Sequence, residues 1–320
     1  MPQPNLSLTE LASHWEAARL PTAETARQMR VIAHDLGALS HVSEARALTP
    51  GHLRAFRNDL LAHYAAPTAR KMFGLAHALL AFGYGTLLLD TNPARGMTVA
   101  LSSPATRSHA PFTPSELTRI FTHRVFTTRE LPLQCGAGGV AAYWLPLILL
   151  CTGVRLDTAA ALRTDHLRYS ADTPPVPYWQ FEHRRFVLSK SYVTEYLQPI
   201  HPILCRLGLL DYVAALPPGS DLFPLLPPDR TGRRTARFST YFHRFLHRDV
   251  GIVGPGKGAD SFRYTFALAC RQTGLPVSWT CAVRGIPVPN AWRSHFDDIE
   301  IPLVTLQRLM VRLSFPGFPL

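Results

Sequence analysis

The sequence has 320 residues, of which 47% are hydrophobic, and it carries a formal net charge of +11. This length allows two domains with cores of their own, and a mean hydropathy of +0.03 indicates a globular chain, neither disordered nor membrane-spanning. A sequence pI of about 9.9 favours a polyanionic partner, with nucleic acid as the first expectation.

Two further features bear on location and chemistry. The longest apolar run, residues 139–151, contains Pro146 and is too short to cross a bilayer, and no basic-then-apolar signal opens the chain. We therefore expect no membrane contact and a cytoplasmic protein. The cysteines lack paired spacing and are predicted to be reduced core residues, so no metal and no other cofactor is expected. They are Cys135, Cys151, Cys205, Cys270 and Cys281.

The N-terminal region shows the pattern of a small helical domain. Its helical segments begin near Ser7, Thr22, Thr49 and Pro67. Ser7 and Glu10 fit a capping box, and Thr49 followed by proline is a typical helix start. The second segment is expected to end near Leu36. We predict a four-helix domain without strands over residues 1–96.

Arg70 and Lys71 stand at the start of the fourth helix, on its expected solvent face. They are interpreted either as an ordinary solvated surface or as phosphate contacts. Residues 97–112 are rich in Ser, Pro, Ala and Thr without periodicity, which predicts an exposed linker. A capping box from Thr113 to Glu116 then opens a second domain, predicted to cover residues 113–320.

A buried helix over residues 139–151 leads to Gly153, a natural helix C-cap, and then to Arg155. Three strand-like runs follow, and a short charged turn is expected between the first two. They are Tyr178–Phe181, Arg185–Leu188 and Tyr192–Ile200. Lys190 is expected in the turn before the last run.

A basic loop then precedes a helix whose apolar positions are aromatic. Its alternation of apolar and basic positions suggests one face in the core and one toward phosphates, with a merely solvated face as the alternative. The basic residues of this region with predicted phosphate contacts are Arg230, Arg233, Arg234, Arg237, Arg244 and Lys257. Residues 251–258 superficially match a P-loop, but no Ser or Thr follows the lysine, so nucleotide binding is not predicted.

The next helix carries Arg263 amid the apolar positions Phe262, Phe266 and Ala269. A guanidinium stays charged and needs an anionic partner or a wet cleft. One interpretation is a structural ion pair or an arginine at the rim of the core. The other combines Arg263 with Arg155, because two such arginines can converge as a clamp on one phosphate.

These stretches resemble a known family. Thr152-Gly153-Val154-Arg155 resembles the first arginine box of the tyrosine recombinases (phage integrases), and residues 262–267 resemble the second. Ser189-Lys190-Ser191 resembles their hairpin lysine motif. The resemblance implies a mainly helical fold with a small antiparallel sheet, in which an N-terminal helical clamp and a catalytic-type domain close around double-stranded DNA.

The resemblance also implies a set of catalytic positions, several of which are altered. Arg155 and Arg263 match the arginines, and Lys190 matches the lysine acid. Asp260 and Ile286 stand where the family has histidines, and a carboxylate beside a phosphate is repulsive. Phe296 lies in the window of the tyrosine nucleophile and lacks its hydroxyl. No tyrosine follows Tyr264.

The resemblance therefore leaves three functional hypotheses. The first is a DNA-binding protein of recombination, integration or transposition in a bacterial mobile genetic element, without strand cleavage of its own. The second is an active recombinase whose native gene encodes tyrosine in place of Phe296, and the third is a DNA-binding transcriptional regulator. The expected partners are double-stranded DNA in the bacterial nucleoid and further copies of the chain or a partner recombinase. The apolar helix after Ile301 is predicted either to dock on a neighbouring subunit or to pack into its own core.

Overall fold

The computed structural model describes residues 5–100, 110–187, 190–230, 232–274, 276–283 and 301–319, with the backbone alone at 182–187, 190–195, 277 and 282. The chain separates into a smaller N-terminal unit and a larger C-terminal unit, with the boundary near residue 106. The predicted linker, 97–112, lies mostly outside the described residues. The smaller unit was predicted to be a four-helix domain, and its described part has this architecture.

The helices of the smaller unit are α1 (Leu8–Arg19), α2 (Ala23–Ser40), α3 (Pro50–His63) and α4 (Ala66–Gly85). Ser7 and Thr49 form the capping boxes of α1 and α3. Their apolar stripes meet in one core that contains Leu11, Leu36 and Phe56. The second helix runs four residues past its predicted end, because its left-handed cap is His41.

The larger unit begins with α5 (Pro114–Phe121), α6 (Arg124–Thr127), α7 (Ala141–Thr152) and α8 (Leu156–Ala160). Every residue of α7 is buried. Residues 135–152 have the length and hydropathy of a membrane span, and 78% of this window is buried inside the protein. The structure therefore uses this segment as the core of the larger unit.

A three-stranded sheet follows, with strands β1 (Leu167–Tyr169), β2 (Pro177–Val187) and β3 (Lys190–Pro199) in that order. β1 pairs antiparallel with β2, and Leu167 lies opposite Trp179. The predicted charged turn within β2 is wrong. Residues 182–184 contain no Gly, Pro or Asn to reverse the chain, and charge alone does not end a strand. Sequence reasoning also missed β1, which has only three residues.

The remaining helices are α9 (Pro202–Arg206), α10 (Leu209–Ala214), α11 (Ala236–Arg244), α12 (Asp260–Gln272), α13 (Val277–Val283) and α14 (Leu303–Val311). A π-helical turn, Phe245–Asp249, extends α11. This mainly helical architecture with a small antiparallel sheet confirms the predicted fold class. Among the described residues, no group of three or more His, Cys, Asp or Glu side chains could hold a metal ion.

Close packing of α7 against α12 organises the core of the larger unit. Gly153 ends α7 in the left-handed conformation with φ of 67°. A Cβ atom at Gly153 would lie 2.4 Å from Cδ1 of Phe266. One turn earlier on α12, Phe262 packs against Phe112 and Phe242, with ring centroids 4.7 and 5.7 Å away. Glycine is therefore required at the end of α7.

The C-terminal helix α14 packs into its own unit, which decides between the two predicted alternatives. Met310 is fully buried, and Phe315 stacks near Phe266 at 6.4 Å between ring centroids. Thr118 donates a hydrogen bond to the carbonyl of Gly317 at 2.8 Å. The described C-terminal segment is thus held by both apolar and polar contacts within one chain.

The cysteine prediction holds in part. None of the five cysteines forms a disulfide bond among the described residues, and Cys151, Cys270 and Cys281 are buried. Cys205 is half-buried, and Cys135 is exposed in a short 3₁₀ turn, so the core assignment is wrong for Cys135. The turn that contains Cys135 precedes the buried helix α7 and lies at the surface. The sequence pattern of a single apolar residue does not reveal such exposure.

The first prediction concerns Gly153→Ala. The new methyl group adds a steric overlap with Phe266 to the cost of a left-handed alanine, so we expect the free energy of unfolding to fall by about 2–5 kcal/mol. Denaturant titration measures the change. Gly258→Ala is the matched control, since a Cβ there meets nothing within 4 Å. Equal stability of the two variants would contradict the proposed close approach.

The second prediction concerns His201, which is 3% exposed and accepts a hydrogen bond at Nδ1 from the amide of Ile203. Burial lowers the pKa of His201 to about 4; the backbone at Leu313 and Met310 offsets part of this, and Arg206 adds to it. Between this value and the ordinary pKa of about 6.5, the unfolded chain binds a proton that the folded protein excludes. Stability should therefore fall as pH falls through this window, by about 2 kcal/mol between pH 7 and pH 5.

His201→Asn tests this expectation, because asparagine keeps the helix cap and does not titrate. Urea titrations at pH 7 and pH 5 should show a smaller acid loss in His201→Asn than in the unchanged protein. His34→Asn, at an exposed position of α2, is the control and should keep the full loss. An unchanged acid loss in His201→Asn would show that other groups cause it.

Candidate nucleic-acid interface

Arg155 lies where the chain turns out of the core. Thr152 donates its hydroxyl to the carbonyl of Ile148 at 2.7 Å, and Gly153 then ends α7. Two residues later, Arg155 is the N-cap residue of α8, with an extended backbone and an exposed side chain. The buried end of α7 thus presents an arginine at the surface.

Arg263 lies on α12, between two buried polar residues that anchor this helix. Ser261 accepts a hydrogen bond from the amide of Gly258 at 3.1 Å, and Thr265 accepts one from the amide of Phe112 at 2.9 Å. Arg263 is two positions from each of them, about 200° around the helix, and therefore points away from the anchored face. Its side chain is half-buried.

The packing of α7 on α12 brings the two arginine-bearing segments together. Gly153, two residues before Arg155, touches Phe266, which is one helical turn beyond Arg263. Within the described part of the chain, neither guanidinium has a carboxylate partner. This arrangement contradicts the structural ion pair within the described residues and leaves a charged group that water or a phosphate can solvate.

A hydrogen bond links α8, which follows Arg155, to the basic loop that precedes α11. Thr235 is 3% exposed and donates its hydroxyl to the carboxylate of Asp157, in the first turn of α8. Thr235 also immediately precedes α11. The sequence did not reveal this hydrogen bond, because a side-chain contact across 78 residues leaves no periodic signal.

The other predicted catalytic positions are described only in part. Lys190 begins β3, so it opens a strand rather than lying in a turn, and its side chain is outside the described residues. Ile286 and Phe296 also lie outside them. Asp260 is the first residue of α12, where the helix dipole stabilises a carboxylate. This placement gives Asp260 a favourable structural environment where the family has a histidine.

Four of the predicted phosphate contacts form an exposed basic surface. α11 buries Phe238, Tyr241 and Phe242 on one side, and this agrees with the predicted division of its faces. The exposed arginines of the loop and the helix are Arg230, Arg233, Arg237 and Arg244. None of these four guanidinium groups has a carboxylate partner in the described segments.

The other two basic residues of this region form ion pairs within the protein. Arg234 lies 2.9 Å from the carboxylate of Asp221 and donates to the carbonyl of Leu226 at 3.1 Å. Lys257 lies 2.7 Å from the carboxylate of Glu116, and both side chains are less than 15% exposed. Carboxylates of the protein therefore already neutralise these two cations. The ion pair of Lys257 also joins the start of α5 to the loop before α12.

The Glu116 carboxylate shows the strength of this link. Burial alone would raise the pKa of Glu116, but the hydrogen bonds from Lys257 and the amide of Thr113 hold it below its usual value. Lys257 also donates to the carbonyl of Pro111 at 2.7 Å and lies over the Phe112 ring. The Lys257 ammonium group therefore holds together the segment with which the larger unit begins.

Arg70 and Lys71 belong to the smaller unit, in the first half of α4. Both side chains are exposed, as the solvent-face assignment requires. Phosphate contact by this pair stays a prediction.

Gln198 was predicted only as one residue of the strand-like run Tyr192–Ile200. It is fully buried near the end of β3. Its Nε2 donates to the carbonyl of Thr152 at 2.9 Å and to that of Val283 at 2.6 Å. The only sequence signal for Gln198 is a polar residue at the apolar end of a predicted strand, where polar side chains are seldom buried.

Neither a protein-family model nor a curated protein sequence matches this chain. Solved structures do match. The Tn1549 transposon integrase, in complex with circular intermediate DNA, matches with a TM-score of 0.64 and 12% identity over 91% of this chain and 96% of the integrase. A lambda integrase dimer bound to a COC' core site matches with a TM-score of 0.61 and 13% identity over 93% and 100% of the two chains.

The XerH site-specific recombinase, bound to a palindromic difH substrate, matches with a TM-score of 0.61 and 12% identity over 91% of this chain and 82% of XerH. At this level of identity the comparisons establish architecture. The chain has the tyrosine recombinase fold, as its arginine boxes predicted.

The third prediction concerns Lys257→Met. The substitution leaves the Glu116 carboxylate, whose side chain is 14% exposed, without its charged partner. We expect the free energy of unfolding to fall by about 1–3 kcal/mol at pH 7. Because the pKa of Glu116 is lowered on folding, its contribution is present above the ordinary pKa and is lost as pH falls through the folded value. The variant should therefore lose less stability in acid.

Denaturant titration at pH 7 and pH 3 measures both effects. Arg244→Met removes an exposed cation from α11 and is the control, with an expected change within about 0.5 kcal/mol. If Lys257→Met proves as mild as Arg244→Met, the ion pair is not structural.

Proposed function

We propose that this protein binds duplex DNA and acts in DNA recombination, integration or transposition without cutting DNA itself. The observation that carries the proposal is the pair Arg155 and Arg263. Both lie on packed segments of a tyrosine recombinase fold, and neither has a carboxylate partner among the described residues. Two guanidinium groups so placed suit a phosphate of the DNA backbone.

The charge distribution supports the same partner. The exposed arginines of the basic loop and α11 add cations to the clamp in the same unit, and the whole chain carries +11. Such contacts to phosphate are independent of base sequence and set the position of a protein on the duplex. The matching integrases and XerH are themselves structures with DNA.

The absence of strand cleavage follows from the residue types at the catalytic positions. Phosphodiester attack needs an oxygen nucleophile, and Phe296 has none. Asp260 and Ile286 replace two groups that would hold or donate protons. At neutral pH a carboxylate repels the phosphate that a histidine would bind. The proposed role is therefore to hold DNA that another protein cuts.

This role implies partners and a location. A non-cutting protein requires a partner recombinase, or it assembles with further copies of itself on DNA, and the lambda integrase match is a dimer on its core site. A DNA partner implies action inside the cell at the nucleoid, in a mobile element of a bacterial host.

The fourth prediction is binding to duplex DNA with strong salt dependence, because bound phosphates release counterions. Arg155→Ala and Arg263→Ala should each weaken binding by about tenfold and reduce the slope of log K against log salt by about 1. Arg124→Ala removes an exposed arginine of α6 outside the proposed interface and is the matched control. Fluorescence anisotropy at stepped salt concentrations measures all four proteins. Equal losses in the three variants would contradict a specific clamp.

The same prediction extends to chemistry. We expect no covalent DNA adduct on a denaturing gel, either with the protein as it stands or with Phe296→Tyr. An adduct in Phe296→Tyr alone would identify an active recombinase whose nucleophile is missing from this chain. Failure to bind DNA under any salt condition would refute both hypotheses.

A further inference from the structure

Gln198 lies where β3 meets α7 and α13 in the larger unit. It is the penultimate residue of β3, which begins at Lys190. Its two hydrogen-bond acceptors are Thr152, the last residue of α7, and Val283, the last residue of α13. One amide group therefore joins the strand that begins with the predicted lysine, the helix that leads to Arg155, and the helix after the Arg263 helix.

The hydrogen bonds of Gln198 satisfy a helix end and tie it to a second helix. The last carbonyl groups of α7 have no partner within the helix, and buried carbonyls without partners cost free energy. Gln198 is 0% exposed, and both of its bonds start from the same nitrogen, Nε2. The side chain thus caps the end of α7 and joins it to α13.

The orientation of the amide is fixed by these partners. A flipped amide would place Oε1 against two carbonyl oxygens, so only Nε2 can face them. In this orientation Oε1 has no hydrogen-bond partner in the described part of the structure. An unsatisfied buried acceptor costs free energy. The two hydrogen bonds from Nε2 offset this cost.

We propose that Gln198 is a positioning residue that preorganises the phosphate clamp. The proposal rests on the proposed DNA-binding function. Gln198 touches neither arginine; it holds the carbonyl of Thr152, three residues before Arg155, and the end of α13, which follows the Arg263 helix. Without its two hydrogen bonds, the Arg155 turn would sample conformations in which the two guanidinium groups do not converge. Bound phosphate would then have to order the turn and would bind more weakly.

The first test uses the free protein and needs no DNA. Gln198→Met keeps the length of the side chain and removes both donors. Hydrogen exchange should become at least about tenfold faster at residues 153–157 and 277–283, with α5 and α14 unchanged. Tyr212→Phe is the matched control, since it removes a half-buried hydrogen bond to the carbonyl of Leu222 elsewhere in the same unit. It should leave both segments unchanged.

The second test is a double-mutant cycle on duplex DNA. Gln198→Met should weaken binding about tenfold, and it should add little when Arg155 is already alanine, because it acts through Arg155. Tyr212→Phe should bind DNA as the unchanged protein does. Losses of Gln198→Met and Arg155→Ala that simply add would overturn the proposal.

The outcomes separate this proposal from the function on which it rests. If the unchanged protein does not bind DNA, the proposed function fails, and the exchange experiment alone decides whether Gln198 orders the two segments. Uniformly faster exchange throughout the larger unit would make Gln198 an ordinary core residue and overturn the positioning role. Should Gln198→Met not fold, Gln198→Asn is the second variant, since its shorter amide cannot reach both carbonyls.

Discussion

The contact between Gly153 and Phe266 is the constraint on which the candidate site depends. A side chain at Gly153 would overlap the Phe266 ring, so only glycine lets α7 end against α12. The helix cannot slide to relieve such an overlap, because Phe262 is held among the rings of Phe112 and Phe242. The distance between the Arg155 turn and the Arg263 helix is therefore set by core packing. The apolar contact between Gly153 and Phe266 thus determines where the two arginines lie.

The cations of the larger unit divide into two groups by their partners. Lys257 and Arg234 have carboxylates at 2.7 and 2.9 Å and hold loops to the core. Arg155 and Arg263 have no such partner in the described regions, although Arg263 is half-buried. An anion that arrives from outside, such as a phosphate, would neutralise the charge that the described residues leave on Arg263.

Sequence reasoning succeeded where local chemistry decides the structure. The capping boxes at Ser7 and Thr113 and the C-cap at Gly153 are short-range signals, and each lies where it was predicted. It failed where a distant partner decides. The ion pair of Lys257 with Glu116 spans 141 residues, and Gln198 reaches carbonyls 46 and 85 residues away. No periodicity encodes such pairings, so the sequence could identify the two arginine segments but not the contacts that support them.

Under the proposed function, the residues of the candidate site divide by chemical task. Holding a phosphate requires fixed positive charge, which Arg155 and Arg263 provide. Cutting the backbone also requires a nucleophilic oxygen and proton donors, which Phe296, Asp260 and Ile286 do not provide. Asp260 begins α12, where a carboxylate stabilises the helix while it repels an approaching phosphate. A site that binds the uncut phosphate but lacks groups that stabilise the transition state gives affinity for DNA without cleavage. The proposed role in holding DNA rests on this separation.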